Sequence, residues 1–253
     1  MAVAFQSTVP AIGKLTGTTV TSANWTISGS NPVILVAVTF KSTTAVETAP
    51  SWSLGSGTAV LVKEVRGGSG VDVYESIWAI PAPIVGTGTV TVNIDTSLLF
   101  NSGADCFTGA DQTTPAPVGD AVTDITATNS YTLTPANLTA NDASYSCSGN
   151  TTFNISTVTN STLIDNTATN DIGLGYNLGT ASITVTMSDS ANTHGNVAVR
   201  IVAAGGAAAV KYPQLERGIR GLGRGLAEGL ARTFVRKDRI FVPAYSSRAV
   251  KAI

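Results

Sequence analysis

Charge is scarce in this chain. Only 12% of its 253 residues are Asp, Glu, Lys or Arg, against roughly 25% in an average soluble domain. Histidine occurs once, at His194, and cysteine twice, at Cys106 and Cys147. One His and two separated Cys do not supply a zinc centre of the His/Cys type. Nor do two cysteines make a disulfide framework; they read as two independent reduced core thiols, with a single bridge as the alternative. No apolar stretch approaches the roughly 18 residues of a membrane span, so no membrane partner is expected. The opening "MAVAFQSTVPAIGKLTG" has neither a basic start nor a continuous apolar run, and is expected not to be a standard signal peptide.

These absences also narrow the chemistry. A nucleophilic triad needs a base held by an acid beside a nucleophile. His194 sits in the turn-like "SDSANTHGN" with Asp189 nearby, and Gly67-Gly68-Ser69-Gly70-Val71 fails the nucleophile-elbow pattern at its last position. An exposed loop histidine is the expectation. Glycosidases need two acids across a groove; Glu47, Glu64 and Glu75 form no motif. Glu64 and Glu75 are close enough in sequence to face each other on neighbouring strands, yet read better as solvent-facing polar positions. "DNTATND" (165–171) lacks the glycine and terminal glutamate of an EF-hand loop, and "GLGRG" (221–225) lacks the Lys-Ser/Thr of a phosphate loop. No enzyme and no cofactor is expected. Trp25 and Trp78 lie within strand patterns and read as core, whereas Trp52, just after Pro50, is the candidate for stacking on a sugar ring.

What replaces charge is Thr, Ser, Asn and Gly, a composition suited to strands and turns and poor for helices. "VILVAVTF" (33–40) is a continuous apolar run, as expected of a strand buried on both faces. "GTVTVNI" (88–94) alternates, with Val90, Val92 and Ile94 on one side and Thr89, Thr91 and Asn93 on the other. Further strands read at 18–27, 58–65, 71–80, 143–149, 152–158, 181–187 and 196–204. A short strand running into a turn reads at 103–117. Breakers such as Ser30-Asn31-Pro32, Pro81-Ala82-Pro83 and Gly86-Thr87-Gly88 stand between them. Many short strands with turn chemistry between them predict a mainly β, jelly-roll-like antiparallel sandwich over residues 1–207.

The pattern changes over 208–253. Leu215, Ile219, Leu222, Leu226, Leu230 and Phe234 recur at steps of three and four, which predicts a short helix. Gly221, Gly225 and Gly229 lie beside this stripe, each costing about 0.8–1 kcal/mol in a helix interior. An extended basic tail follows, with Arg236, Arg239, Ile240, Phe241, Val242, Tyr245 and Arg248 as candidate partner contacts. Charge divides the same way: residues 1–209 hold 5 Lys/Arg against 13 Asp/Glu (5 − 13 = −8), and residues 210–253 hold 10 against 3 (10 − 3 = +7). A basic arm on an acidic body points to a partner of its own. Phosphate contact is one use of such charge, but no recognition-helix or base-stacking pattern accompanies it, so no nucleic acid is expected.

Two resemblances enter on these residues. "VILVAVTF", "VYESIWAIPAPIVGTGTVTVNI" and "CFTGADQTTPAP" are similar to a β-sandwich domain of tailed-phage virion proteins and bacterial surface proteins. Phe107 to Pro115 matches its Phe-Thr-Gly-Val-Asp-Gln-Thr-Thr-Pro signature, with Ala110 where Val is usual. "RTFVRKDRIFVPAYSSRAVKA" resembles the endings of small structural proteins of tailed phages, through Arg239, Phe241, Val242, Pro243, Ala244 and Arg248. Tyr245 stands where an acid is common. The resemblance implies a virion setting and no catalysis. The expectation is a capsid decoration or cement protein on the outer capsid surface. Its partners would be the major capsid protein lattice and copies of itself, as a trimer or dimer. A carbohydrate-binding or adhesion module of a fibre or cell surface is the alternative.

Overall fold

The computed structural model describes residues 1–9, 12, 15–41, 47–67, 73–125, 130–149, 155–159, 162–165, 172–187 and 195–205. Among these the chain is mainly strand: β1 (Ala4–Thr8), β2 (Leu15–Thr21), β3 (Trp25–Ile27), β4 (Val33–Lys41), β5 (Glu47–Trp52), β6 (Val60–Gly67), β7 (Val73–Pro81), β8 (Gly86–Gly88), β9 (Val90–Thr108), β10 (Val122–Asp124), β11 (Ser130–Leu133), β12 (Ala143–Gly149), β13 (Ile155–Thr159), β14 (Thr162–Asp165), β15 (Ile172–Leu178), β16 (Ile183–Met187) and β17 (Gly195–Ile201). The one helical element among the described residues is a 3-10 turn at Val118–Asp120. The helix and tail expected over 208–253, and His194, lie outside the described residues.

Every pairing between these strands is antiparallel. The largest sheet runs β1-β9-β4-β7-β6, with β2 and β5 also on β9; a second runs β10-β17-β12-β15-β14; β11-β16-β13 and β3-β8 are smaller. Strand β4 sits at the centre and is buried on both sides, as its unbroken apolar run requires. Val33, Leu35 and Ala37 join Ile77, Ala79 and Phe107 against Tyr145, Cys147, Leu174, Val197, Val199 and Ile201 of the second sheet. Ile34, Val36, Val38 and Phe40 point the other way, into a separate cluster with Trp25, Ile27, Trp52, Val90, Val92 and Ile94. Cys106 lies in this second cluster and Cys147 in the first, and both are free thiols.

Strand β9 closes that back cluster. The expected strand at 88–94 and the short strand that opens the 103–117 stretch are parts of a single strand, Val90–Thr108. Its C-terminal half pairs with β4 from Phe100 to Phe107. Its N-terminal half pairs with β5 from Val90 to Ile94. Along β2, the step from Gly17 to Thr19 faces the step from Leu98 to Asn93. Extra residues on one strand bend it, and here the bend brings Val90, Val92 and Ile94 into the same cluster as the back of β4. The outward row carries cross-strand hydroxyl and amide pairs, Thr19 with Asn93 at 2.9 Å and Thr21 with Thr91 at 3.1 Å.

The "FTGADQTTP" stretch is a corner that joins the two sheets. Phe107 is fully buried and meets Phe5, Tyr145 and Tyr176 edge-on at centroid distances of 5.5, 5.9 and 5.7 Å. Gly109 takes φ +72, a region that favours glycine. Asp111 then accepts the amides of Thr113 and Thr114, each at 2.8 Å, forming a local turn through its side chain. Its own amide donates to Val202 at 2.8 Å, and Ala110 bridges to Ala203. The residues behind the resemblance therefore have a structural use each.

Because Phe107 contacts aromatic rings on both sheets, Phe107→Ala is expected to cost about 3–5 kcal/mol, the usual range for a buried phenylalanine. Equilibrium urea unfolding measures it. A cost under about 1 kcal/mol would show that this ring does not couple the two sheets.

Candidate functional site

The densest group of chemically capable side chains lies between the two large sheets. In β7 the alternation that buries Ile77 and Ala79 also turns Glu75 inward, and its side chain is 0% exposed. Thr39 of β4 is its partner on one side and Val65 of β6 on the other. Thr39 in turn faces Asn101 of β9, whose amide is buried and unpartnered. Four residues further along β9, on the same face, Asp105 accepts a 2.7 Å hydrogen bond from the Tyr145 hydroxyl across the gap between the sheets.

The opposing sheet makes room for this row. Gly149 of β12 and Gly195 of β17 are register partners. A Cβ on Gly149 would fall on Glu75 Oε1 and Thr39 Oγ1, and one on Gly195 would lie 3.0 Å from Glu75 Cγ. Two facing glycines thus form a socket that the glutamate fills. Its carboxyl has no geometric hydrogen bond; the group that approaches it is the Cys147 thiol, a weak donor. Burial pushes the Glu75 carboxyl well above its ordinary value, and the thiol offsets this only in part. Burial raises Cys147 as well, with the charges of Glu75 and Asp105 acting in the same direction. On the other face Cys106 is pushed up to about 12 by burial and by Asp105. Neither thiol is a nucleophile at neutral pH, since the thiolate is the reactive form.

Register separates the two glutamates and overturns the solvent-facing reading for Glu75 alone. Glu64 pairs with Ser76, while Glu75 pairs with Val65, so the two acids lie on opposite faces of the sheet. Glu64 is exposed and Glu75 is buried. The signal was present in "VYESIWAI": Glu75 has the parity of Ile77 and Ala79. Trp52 is likewise not a stacking platform. It is 3% exposed, meets Trp25 edge-on at 6.0 Å, and donates its indole N–H to the Ile84 carbonyl at 2.9 Å. No ring face is left for a sugar, because the loop after Pro50 is part of β5 and turns the indole inward. The assembly contacts expected at Leu215, Ile219, Leu222, Leu226, Leu230, Phe234, Arg236, Arg239, Ile240, Phe241, Val242, Tyr245 and Arg248 lie outside the described residues.

A second polar group, at the other end of β17, is fully paired. Arg200 reaches Asp120 at 2.8 Å and Asp142 at 2.9 Å. Asp142 also accepts the amides of Thr139 and Ala203, each at 2.8 Å, and Asn137 donates to Asp120 at 2.6 Å. Burial alone would raise Asp142, but the Ala203 and Thr139 donors and the Arg200 guanidinium hold it below its ordinary value. This clasp ties the 3-10 turn, the 137–142 turn and β17 together. Among the described residues no group of three His, Cys, Asp or Glu is arranged to hold a metal.

The two groups give opposite pH dependences. Glu75 binds its proton more tightly folded than unfolded. Stability from this residue is therefore full below the ordinary carboxylate value of about 4.3, and is lost as pH rises towards the raised folded value. Glu75→Gln is expected to flatten the decline of unfolding free energy above pH 5 and to change little at pH 4; parallel wild-type and variant curves in urea titrations across pH would refute this. Asp142 is depressed, so its contribution is present above the ordinary carboxylate range and lost as pH falls below it. Arg200→Met, which strands two carboxylates, is expected to cost about 3 kcal/mol at pH 7 and much less near pH 3, read from thermal melts at the two values. Against known proteins, no family model, no curated protein and no solved structure matches this chain.

Proposed function

We propose that this chain is a structural virion protein of a tailed phage: a capsid decoration or cement protein, with a jelly-roll-like β-sandwich body on the outer surface of the particle. Its C-terminal arm binds the capsid lattice and neighbouring copies. The observation that carries this reading is the segregation of charge, −8 over residues 1–209 and +7 over residues 210–253. A body and arm of opposite sign attract between copies and steer association. Phe234, Ile240, Phe241 and Val242 supply apolar anchors of the kind that add to a strand edge or fill a groove. The expected assembly is a symmetric dimer or trimer.

The described body is consistent with a scaffold. Among its acids, Glu75 and Asp105 are enclosed between the sheets and Asp120 and Asp142 are locked on Arg200, while Glu64 and Asp95 face solvent. That arrangement favours a fixed shape over turnover. The resemblance of "CFTGADQTTPAP" and of the arm to phage structural proteins adds the setting.

The test is a truncation after Ala209. The shortened chain is expected to fold, with the melting behaviour of the full body, and to lose binding to particles that lack their own copy. Arg239→Ala with Phe241→Ala in the full chain is expected to weaken the same binding at least tenfold at low salt, and by less at high salt, where the charge attraction is already screened. If the truncated body decorates particles as well as the full chain does, the arm has no such role.

A further inference from the structure

Two loops at one end of the back cluster hold three of the most exposed large aliphatic side chains among the described residues: Leu54 at 40%, Ile84 at 56% and Val85 at 50%. They are one patch. Leu54 Cδ1 lies 2.8 Å from where a Cβ on Gly86 would sit, and Ile84 Cδ1 lies 3.3 Å from the same point on Gly55. Gly86 and Gly55 take φ +143 and +99, so the loops need glycine there for backbone and for space alike.

The patch is held in place. Ile84 donates its amide to Gly55 O at 2.9 Å, and Gly57 donates to Pro81 O at 2.8 Å. Ser53 exchanges two bonds with Thr89, its amide donating to Thr89 O at 3.0 Å and its Oγ accepting the Thr89 amide at 2.8 Å. Underneath, the Trp52 indole donates to Ile84 O. Ala82 sits at φ 45, a strained conformation for a non-glycine residue that persists only where surroundings enforce it. A bonded, strained double loop that displays aliphatic side chains to water is costly to keep unless something covers it.

Charge selects the occupant. Residues 15–40, 48–62 and 76–94 contain no Asp, Glu, Lys, Arg or His. They form β2, β3, nearly all of β4 and β5, most of β7, β8, the starts of β6 and β9, and both loops, so the segments that carry and flank the patch hold no charge. The rest of the body carries its net −8, and two such bodies repel wherever their charged faces meet. The uncharged segments are where a second body approaches without that cost. A basic partner would instead be drawn to the acidic faces. We infer that the Leu54/Ile84/Val85 apex is a self-association contact, packing against the same apex of a second copy of this chain. A two-fold contact of this kind is self-complementary. Three side chains do not fill the about 800 Å² per partner of a standard interface, so the pair is weak in free solution and gains strength when many copies are held side by side.

The contact is independent of the arm, and salt separates the two: apolar contact persists at high salt, whereas attraction between arm and body is screened. Sedimentation of the full chain across concentration at about 0.15 M and at high salt tests it. The wild type is expected to show a rising average mass that survives high salt. Ile84→Asp with Val85→Asp is expected to weaken this at least tenfold at an unchanged melting temperature. Ile84→Ser with Val85→Ser, which adds no charge, is expected to shift it in the same direction and serves if the Asp variant does not fold. Either variant associating as the wild type does would overturn the inference. So would a wild type that stays monomeric throughout, or that floats with neutral phosphatidylcholine vesicles while remaining monomeric. Binding to particles is a separate measurement, so failure here leaves the proposed role of the arm untouched.

Discussion

Strand β4 has water on neither side, and the body is organised by that constraint. A strand that reads Val-Ile-Leu-Val-Ala-Val needs an apolar layer above and another below. The five-stranded sheet covers one face through Tyr145, Cys147, Leu174, Val197 and Val199. The other face is covered by the same sheet's own neighbour, since β9 bends and lays Val90, Val92 and Ile94 against Ile34, Val36 and Val38. Burying a side chain of this size stabilises by about 1.5–3 kcal/mol. The two rows of β4 thus account for why β9 is long and why it carries a bulge instead of a clean ladder.

The same two-sided burial fixes where charge can go. With most interior positions apolar, an acid that points inward must be neutral or paired. Both solutions occur. Glu75 sits in a socket shaped by Gly149 and Gly195, where burial raises its carboxyl and favours the neutral form. Asp120 and Asp142 are paired at the edge of the body, where Arg200, Asn137 and backbone amides satisfy them. The first needs exclusion of water and close packing, and the second needs donors. Neither needs a ligand, which is why a chain so poor in charge still folds around four inward or half-inward carboxyls.

Much of this was legible beforehand, and the failures have identifiable causes. The unbroken run at 33–40 gave two-sided burial directly, and the alternation at 90–94 gave the correct faces. Strand β9 was split in reading because Asn101, Ser102 and Gly103 look like turn residues. In the structure they continue the strand, and Gly103 is small because the second sheet presses on it: a Cβ there would meet Leu174. Glu75 was read as surface because charge normally is, although its parity with Ile77 and Ala79 argued otherwise. Trp52 was read as exposed because Pro50 precedes it, yet a proline is tolerated on an edge strand and β5 continues through it. In each case tertiary packing overrode a local rule, which a single sequence displays only as a conflict between residue type and period.

That conflict is also informative about assembly. A chain this sparing with charge keeps long uncharged stretches in one region of the body and concentrates basic residues beyond residue 209. Uncharged, hydroxyl-lined strands do not repel their own kind, whereas a segment of net +7 repels like charge and attracts opposite charge. The two kinds of surface therefore answer to different conditions. The first is short-ranged and indifferent to salt; the second acts over about 8–10 Å at physiological ionic strength and fades as salt rises. Salt therefore separates the two contributions, since raising it weakens charge attraction and leaves apolar contact in place.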